Sequence, residues 1–167
     1  SKEILACGAV NEDGATVIPD LVALCEVEND TVVNYLTKRS PLRNARYEYL
    51  ITQSPDVRGI DVALIYSPMT FRLINSYPLR VKPLKGMRPT RDILYASGEV
   101  ISGDTLHVFV LHAPSRFSGK RVTIPYRMAV MKRLQQSIDS IRSLQANPMI
   151  VVSGDFNDEA RDKSIQY

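Results

Sequence analysis

An α/β domain, with helices flanking β-sheet, is the fold class this sequence predicts. Three observations predict it. Short apolar segments bounded by Gly, Pro, Asn and Asp recur along the chain, as strands do. One long stretch, residues 124–146, carries apolar side chains at helical spacing. It lies between two strand-like runs, Thr105–Leu111 and Met149–Val152, where a crossover helix belongs. A chain of 167 residues can bury a real core, and 44% hydrophobic with 23% charged residues is a globular composition. No repeat, low-complexity tract or linker divides it, so 1–167 reads as a single domain.

The elements follow in order. Residues 2–10 have helix-like apolar spacing at Ile4, Leu5 and Cys7. Residues 11–16 are polar and Gly-bearing, a loop. Pro19-Asp20 opens a strand over Leu21–Val27, apolar until Glu26. Asn29-Asp30 caps a short helix over Thr31–Arg39, and Ser40-Pro41 stops it. Arg46–Thr52 alternates as a strand does. Ser54-Pro55-Asp56 is a turn before the strand Ile60–Tyr66, which Ser67-Pro68 ends. Phe71–Val81 is a further strand, followed by a basic loop over 82–91. In the strand Ile93–Ile101, Gly98 points to a bulge. Ser102-Gly103-Asp104 turns a hairpin into Thr105–His112. A loop over 113–123 precedes the long helix, which puts Val130, Leu134, Ile138, Ile141 and Gln145 on one face. Asn147-Pro148 stops it. Met149–Val152 reads as a buried strand.

Several classes are set aside by what the chain lacks. A net charge of +3, from 21 basic and 18 acidic residues, is mildly basic and does not argue for nucleic acid by itself. No apolar run of about 18 residues is present, so no transmembrane segment is expected. The start does not resemble a secretory signal. The compartment is left unknown, a soluble cytoplasmic protein being favoured over an exported one whose signal was removed. Cys7 and Cys25 sit in apolar contexts, as buried free thiols do. Neither CxxC nor HExxH spacing occurs, so zinc has no support.

Polar groups end three of the apolar strands. Glu26 ends one, His112 another, and Asp155 with Asn157 a third. The alternating Asp155-x-Asn157 puts a carboxylate and a carboxamide on one face of extended chain, an oxygen-rich mouth for a hard cation or a water. It is equally common chemistry for a turn. Glu26 alone fits a helix cap or a lysine partner, and His112 alone fits a satisfied interior histidine. Together they mark the crevice outside strand ends where sites form in sheet proteins.

The flanks of these residues carry a resemblance. Leu24-Cys25-Glu26-Val27-Glu28-Asn29, then Arg58-Gly59-Ile60-Asp61 with its following strand, then His112-Ala113-Pro114-Ser115-Arg116, then Gly154-Asp155-Phe156-Asn157-Asp158 resemble the endonuclease/exonuclease/phosphatase superfamily, most nearly bacterial members of unassigned substrate. The resemblance implies a DNase I-like α/β sandwich of two packed mixed sheets flanked by helices. It implies a Mg²⁺- or Mn²⁺-dependent phosphoesterase in which water attacks phosphorus. By position, Glu26 would be the metal ligand and His112 would hydrogen-bond the scissile phosphate. Asp155 would orient or activate the water, and Asn157 would position phosphate and nucleophile. Asp61 is the match for a second-shell partner of the histidine. Arg91 and Arg116 are phosphate contacts by position and charge.

The resemblance also implies two elements this chain does not show: a first strand bearing a metal-reaching Asn, and a C-terminal Asp-His segment. The 167 residues are therefore expected to be the central part of a domain incomplete at both termini, catalytically weak alone. A phosphodiester substrate, nuclease-like, leads. A phosphomonoester of inositol, a phospholipid or a nucleotide is the alternative, and a non-catalytic module binding phosphate or nucleic acid is a third. The expected partner is a phosphate ester, nucleic acid among them, with no obligate protein partner.

Overall fold

Alternation along single strands divides the apolar side chains among three cores and stacks the molecule as helix, sheet, sheet and helix. The computed structural model describes all residues except 8, 11, 13, 15, 118 and 167, and not the side chains at 9, 10, 16 and 120. The loop expected over 11–16 falls largely outside the described residues. The chain opens with a short helix α1 (Lys2–Ala6) and a two-stranded ribbon of β1 (Ala9–Val10) and β2 (Thr16–Val17). One sheet follows from β3 (Leu21–Val27), β4 (Glu48–Ile51) and β5 (Asp61–Tyr66), in the order β3-β5-β4. The second holds β6 (Phe71–Leu79), β7 (Ile93–Val100), β8 (Thr105–His112) and β9 (Met149–Asp155), in that order. Helix α2 (Asp30–Lys38) and a 3₁₀ turn (Pro41–Ala45) connect β3 to β4, and α3 (Lys120–Leu144) connects β8 to β9.

Residues two apart share a face, so each central strand feeds two cores. On β5, Val62, Leu64 and Tyr66 face Leu94, Ala96, Val108 and Val110 of the other sheet. Ala63 and Ile65 point the other way, onto Val33 of α2 and Leu42 and Tyr47. On β8, Phe109 and Leu111 pack on Val130, Met131 and Leu134 of α3. A fully buried side chain of this kind stabilises by about 1.5–3 kcal/mol, so the inter-sheet core and the two helix-covered outer cores together hold the four layers.

Local signals place several elements. Asn29 accepts a hydrogen bond from the Val32 amide at 3.0 Å and caps α2. The hairpin at Ser102–Asp104 closes with Val100 and Gly103 amides on the carbonyls of Asp104 and Val100, both 2.9 Å. Strands β8 and β9 are parallel, in register from Leu106↔Met149 to His112↔Asp155, so the long helix is the crossover between them.

Four expectations are corrected. Gly98 lies in regular pairing with Leu106, and the bulge sits opposite it, between Leu73 and Asn75 of β6. What Gly98 permits is close approach: a Cβ there would lie 2.5 Å from the Phe71 ring. The long helix starts at Lys120, so Pro125 lies inside it rather than at its beginning. Strand β9 is only half covered, with Met149 46% and Val151 47% exposed, because it ends its sheet and these two side chains stand outside the packed clusters. Cys7 is exposed at the end of α1, a helix with no buried residue, and Cys25 is half-buried; both are free thiols.

Candidate active site

Glu26 is placed by a break in a strand. Leu24 pairs with Ala63 and Val27 with Asp61, so Cys25 and Glu26 together oppose Val62 alone, a β-bulge. Glu26 takes φ 57, a left-handed conformation that costs about 1–2 kcal/mol for an L-residue. The bulge turns Val27 outward into the α2 core. Beside Glu26, the Cys25 thiol reaches the Leu111 carbonyl at 3.5 Å and so joins the end of β3 to the end of β8. Burial pushes the Cys25 thiol up, so it stays protonated at neutral pH.

His112 and Asp155 face each other across the parallel ladder. Their backbones pair, the Ala113 amide donates to the Asp155 carbonyl at 2.8 Å, and Nε2 lies 3.8 Å from Oδ2. That gap exceeds a direct hydrogen bond and is the kind a bridging water, donating to both acceptors, spans. The approach of β9 to β8 here requires Gly154. It has φ +136, and a Cβ on it would stand 1.9 Å from the Leu111 carbonyl oxygen. Asp155 Oδ1 accepts from the Asn157 amide at 2.8 Å, while Oδ2 faces His112. Asn157 also takes a left-handed φ, 51°, which Asn tolerates better than most residues. Its Nδ2 donates to the Ala113 carbonyl at 3.0 Å.

Arg91 completes the group, though not on the surface. Its side chain is 1% exposed, with one guanidinium nitrogen 3.3 Å from His112 Nε2 and another 3.3 Å from Asp56 Oδ2. Guanidinium only donates, so in this contact Nε2 holds the lone pair and the proton sits on Nδ1. Nδ1 is buried without a partner. Burial lowers the His112 pKa, and Arg91 and Arg58 lower it further; Asp155 and Glu26 oppose them. At neutral pH the His112–Asp155 contact is therefore a neutral imidazole beside a carboxylate, not an ion pair. Burial likewise lowers Arg91, with Asp56 and Glu26 holding its charge in place.

The structure thus brings Glu26, His112, Asp155, Asn157 and Arg91 to one end of the two sheets. Two expected residues stand elsewhere. Asp61 is not bonded to His112: its Oδ1 accepts from Thr52 Oγ1 at 2.7 Å and the Ser54 amide at 2.8 Å, and Arg91 stands at the imidazole instead. Arg116 is taken up by its neighbours, donating to the Asn157 carbonyl at 2.6 Å and lying within 3.0 Å of Asp158 and 2.8 Å of Asp162. It braces the Asn157 turn.

Sequence reasoning missed two residues. Asp56, read as part of a turn, anchors Arg91 and lies 3.6 Å from Arg58. Arg127, fully buried in α3, donates to Asp158, 1% exposed, at 2.5 Å and ties the Asn157 turn to the helix. A signal for Arg127 existed. It falls three and seven residues before Val130 and Leu134, so it continues their apolar face one turn back.

A divalent cation fits this donor set in part. Mg²⁺ binds through one or two carboxylates plus waters and substrate phosphate, and Glu26 supplies such a carboxylate. Among the described residues no group of three His, Cys, Asp or Glu is placed to hold a metal ion.

Comparisons with known proteins agree with this architecture. The human Nocturnin catalytic domain with bound sulfate superimposes with a TM-score of 0.69 at 23% identity, covering 89% of this chain and 55% of that one. D. rerio TDP2 complexed with a single-strand DNA product gives 0.61 and 22%, covering 89% and 51%. ANGEL2, a 2′,3′-cyclic phosphatase, gives 0.67 and 16%, covering 88% and 42%. The chain spans about half the length of these structures, and at such identities they show a shared fold. No curated protein sequence matches it. The sequence pattern of the Endonuclease/Exonuclease/phosphatase family matches residues 6–167. The chain therefore belongs to the endonuclease/exonuclease/phosphatase family.

Proposed function

We propose that this chain carries the phosphate-ester end of a divalent-cation-dependent phosphodiesterase. The observation that carries the reading is the open 3.8 Å gap between His112 Nε2 and Asp155 Oδ2, at the end of the sheets where Glu26 also stands. Phosphoester hydrolysis needs an oriented water, donors on the phosphoryl oxygens and relief of their negative charge.

Asp155 supplies the first. The Asn157 amide holds its Oδ1, so Oδ2 is left to accept a hydrogen from water in the gap. His112 supplies a donor once its proton moves to Nε2. The shift gives up the Arg91 hydrogen bond, so that guanidinium N–H must turn to another acceptor such as a phosphoryl oxygen. Asn157 keeps its carboxamide oxygen and one N–H for substrate or water. Arg91 sets buried positive charge behind the imidazole. Glu26 would hold the cation, whose chemistry when bound is to neutralise charge on the phosphoryl oxygens. Glu26 is the one carboxylate assigned to it among the described residues, so weak ion binding and slow turnover are expected of these 167 residues by themselves.

The test is Mg²⁺-dependent hydrolysis of bis(4-nitrophenyl) phosphate and of 4-nitrophenyl phosphate by the full-length polypeptide. The diester should be preferred, and Asp155→Asn should slow it about 10²–10⁴-fold, the range for a positioned general base. Glu26→Gln should remove the metal stimulation. Preference for the monoester would replace the diesterase reading with a phosphatase. No Mg²⁺-stimulated hydrolysis of either ester would end it.

A further inference from the structure

Two cavities flank α3 on the side away from the inter-sheet core. One, of about 970 Å³, lies against the first half of the helix, and the other, of about 480 Å³, against the second. Both are bounded by Arg133 and Gln136, so they adjoin along one side of α3 and are treated as the two halves of a groove. Its helical wall runs from Pro125 to Leu144, about 28 Å at the rise of an α-helix. The opposite wall is the end of edge strand β6, with the loop after it at one end and β7 and β8 behind it at the other.

The two halves differ in chemistry. The first presents Lys82, Lys132 and Arg133 over an apolar floor. Arg80 is there too, but its charge is answered by Asp92 at 2.8 Å. The second presents Tyr77, 43% exposed, with its ring centroid 4.7 Å from that of Tyr95. Among the described lining residues there is no Asp or Glu in either half. Cations at one end and an accessible aromatic ring at the other, with no carboxylate between, match a polyanion that also carries flat apolar groups.

Position links the groove to the site. Leu79 at the end of β6 pairs with Ile93, and Leu94 pairs with Val110, two residues before His112. The basic half therefore lies at the catalytic end of the sheet. Strand β6 is two strands from β8, a lateral step of about 10 Å.

We infer that the groove between α3 and the β6 edge binds a nucleic-acid single strand, its phosphates on Lys82, Lys132 and Arg133 and a base stacked on Tyr77. This rests on the phosphodiesterase reading and names its substrate class. Sequence-tolerant single-strand binding combines these two parts, a basic track and a stacking ring. A phospholipid surface would meet the cations at the rim without entering the groove that Tyr77 lines.

The test is anisotropy of a fluorescein-labelled oligothymidylate of about ten nucleotides, the scale of single-strand sites, in EDTA so that no turnover occurs. Lys82→Gln with Lys132→Gln should weaken binding at least about tenfold and flatten the slope of log K against log salt by about 1.4, two lost phosphate contacts. Tyr77→Leu should weaken it about five- to a hundredfold, and Tyr77→Phe should restore it. Unchanged affinity in both variants, or no binding by the parent, would overturn the inference. So would loss of binding to phosphatidylserine vesicles in the lysine variant with oligonucleotide affinity intact. Failure here is separable from failure of the phosphodiesterase reading. Turnover of bis(4-nitrophenyl) phosphate, too small to reach the groove, reports on the catalytic end alone.

Discussion

Arg91 stands 3.3 Å from Nε2 of His112, so a permanent positive charge backs the one imidazole at the candidate site. Asp56 holds the guanidinium from the other side, and neither side chain is open to solvent. Burial and this charge keep His112 neutral, and while the Arg91 contact stands the proton is on Nδ1. Arg91→Met should raise the His112 pKa, though short of its ordinary value, because burial is the larger cause of the shift. Imidazole chemical shifts followed against pH check this, and an unchanged or lower value would remove Arg91 from the account.

The same shift links stability to pH. The folded-state pKa of His112 is below the unfolded value of about 6.5. Above that value neither state takes the proton. As pH falls below it, the unfolded chain binds a proton that the folded chain refuses, and stability is lost until the folded pKa is reached. Over that window the slope from this group is at most about 1.4 kcal/mol per pH unit. His112→Gln should flatten the acid limb of urea-unfolding free energy by that amount relative to the parent.

Glu26 is held at φ 57 in the bulge, where an L-residue is strained. Glu26→Gly should stabilise the fold by about 0.5–1 kcal/mol, the left-handed penalty less the entropy glycine loses, while abolishing any Mn²⁺ binding seen by calorimetry. A less stable Glu26→Gly protein would show that the carboxylate supports the fold.

Gly154 and Gly103 both have positive φ, but only Gly154 has backbone where a Cβ would go, at 1.9 Å. Gly103→Ala should cost about 1 kcal/mol from conformation alone. Gly154→Ala should cost well over twice that and separate β9 from β8, displacing Asp155. Equal unfolding midpoints for the two variants would contradict the packing described.

Arg127 and Asp158 are both removed from solvent. Without Arg127 the buried Asp158 keeps Arg116 and Ser164 as partners but loses one charged hydrogen bond, so Arg127→Met should destabilise by about 1.5–3 kcal/mol. Amide exchange should rise in the turn after β9, where Arg116 and Asp158 meet.

Much of the frame is legible without coordinates. Strands Leu21–Val27 and Thr105–His112 end where the pattern of apolar residues ends, and Asn29 caps its helix as its type and place require. The order of Glu26, His112, Asp155 and Asn157 at strand ends, with their flanks, carried the family. These signals are local: each is set by residues within a few positions of one another.

What only tertiary structure decided depends on which surfaces meet. Arg91 and Arg116 look alike in the chain, yet one is sealed behind His112 and the other clasped by carboxylates that arrive from beyond residue 157. Gly98 signalled an irregularity, but Phe71 across the ladder was its reason. The bulge that turns Glu26, the closeness of Gly154 to Leu111 and the burial of Arg127 arise from contacts between segments far apart in sequence. Periodicity and capping determine which elements form. The approach of one element to another determines which polar groups lose water and find each other, and with that the site's charge.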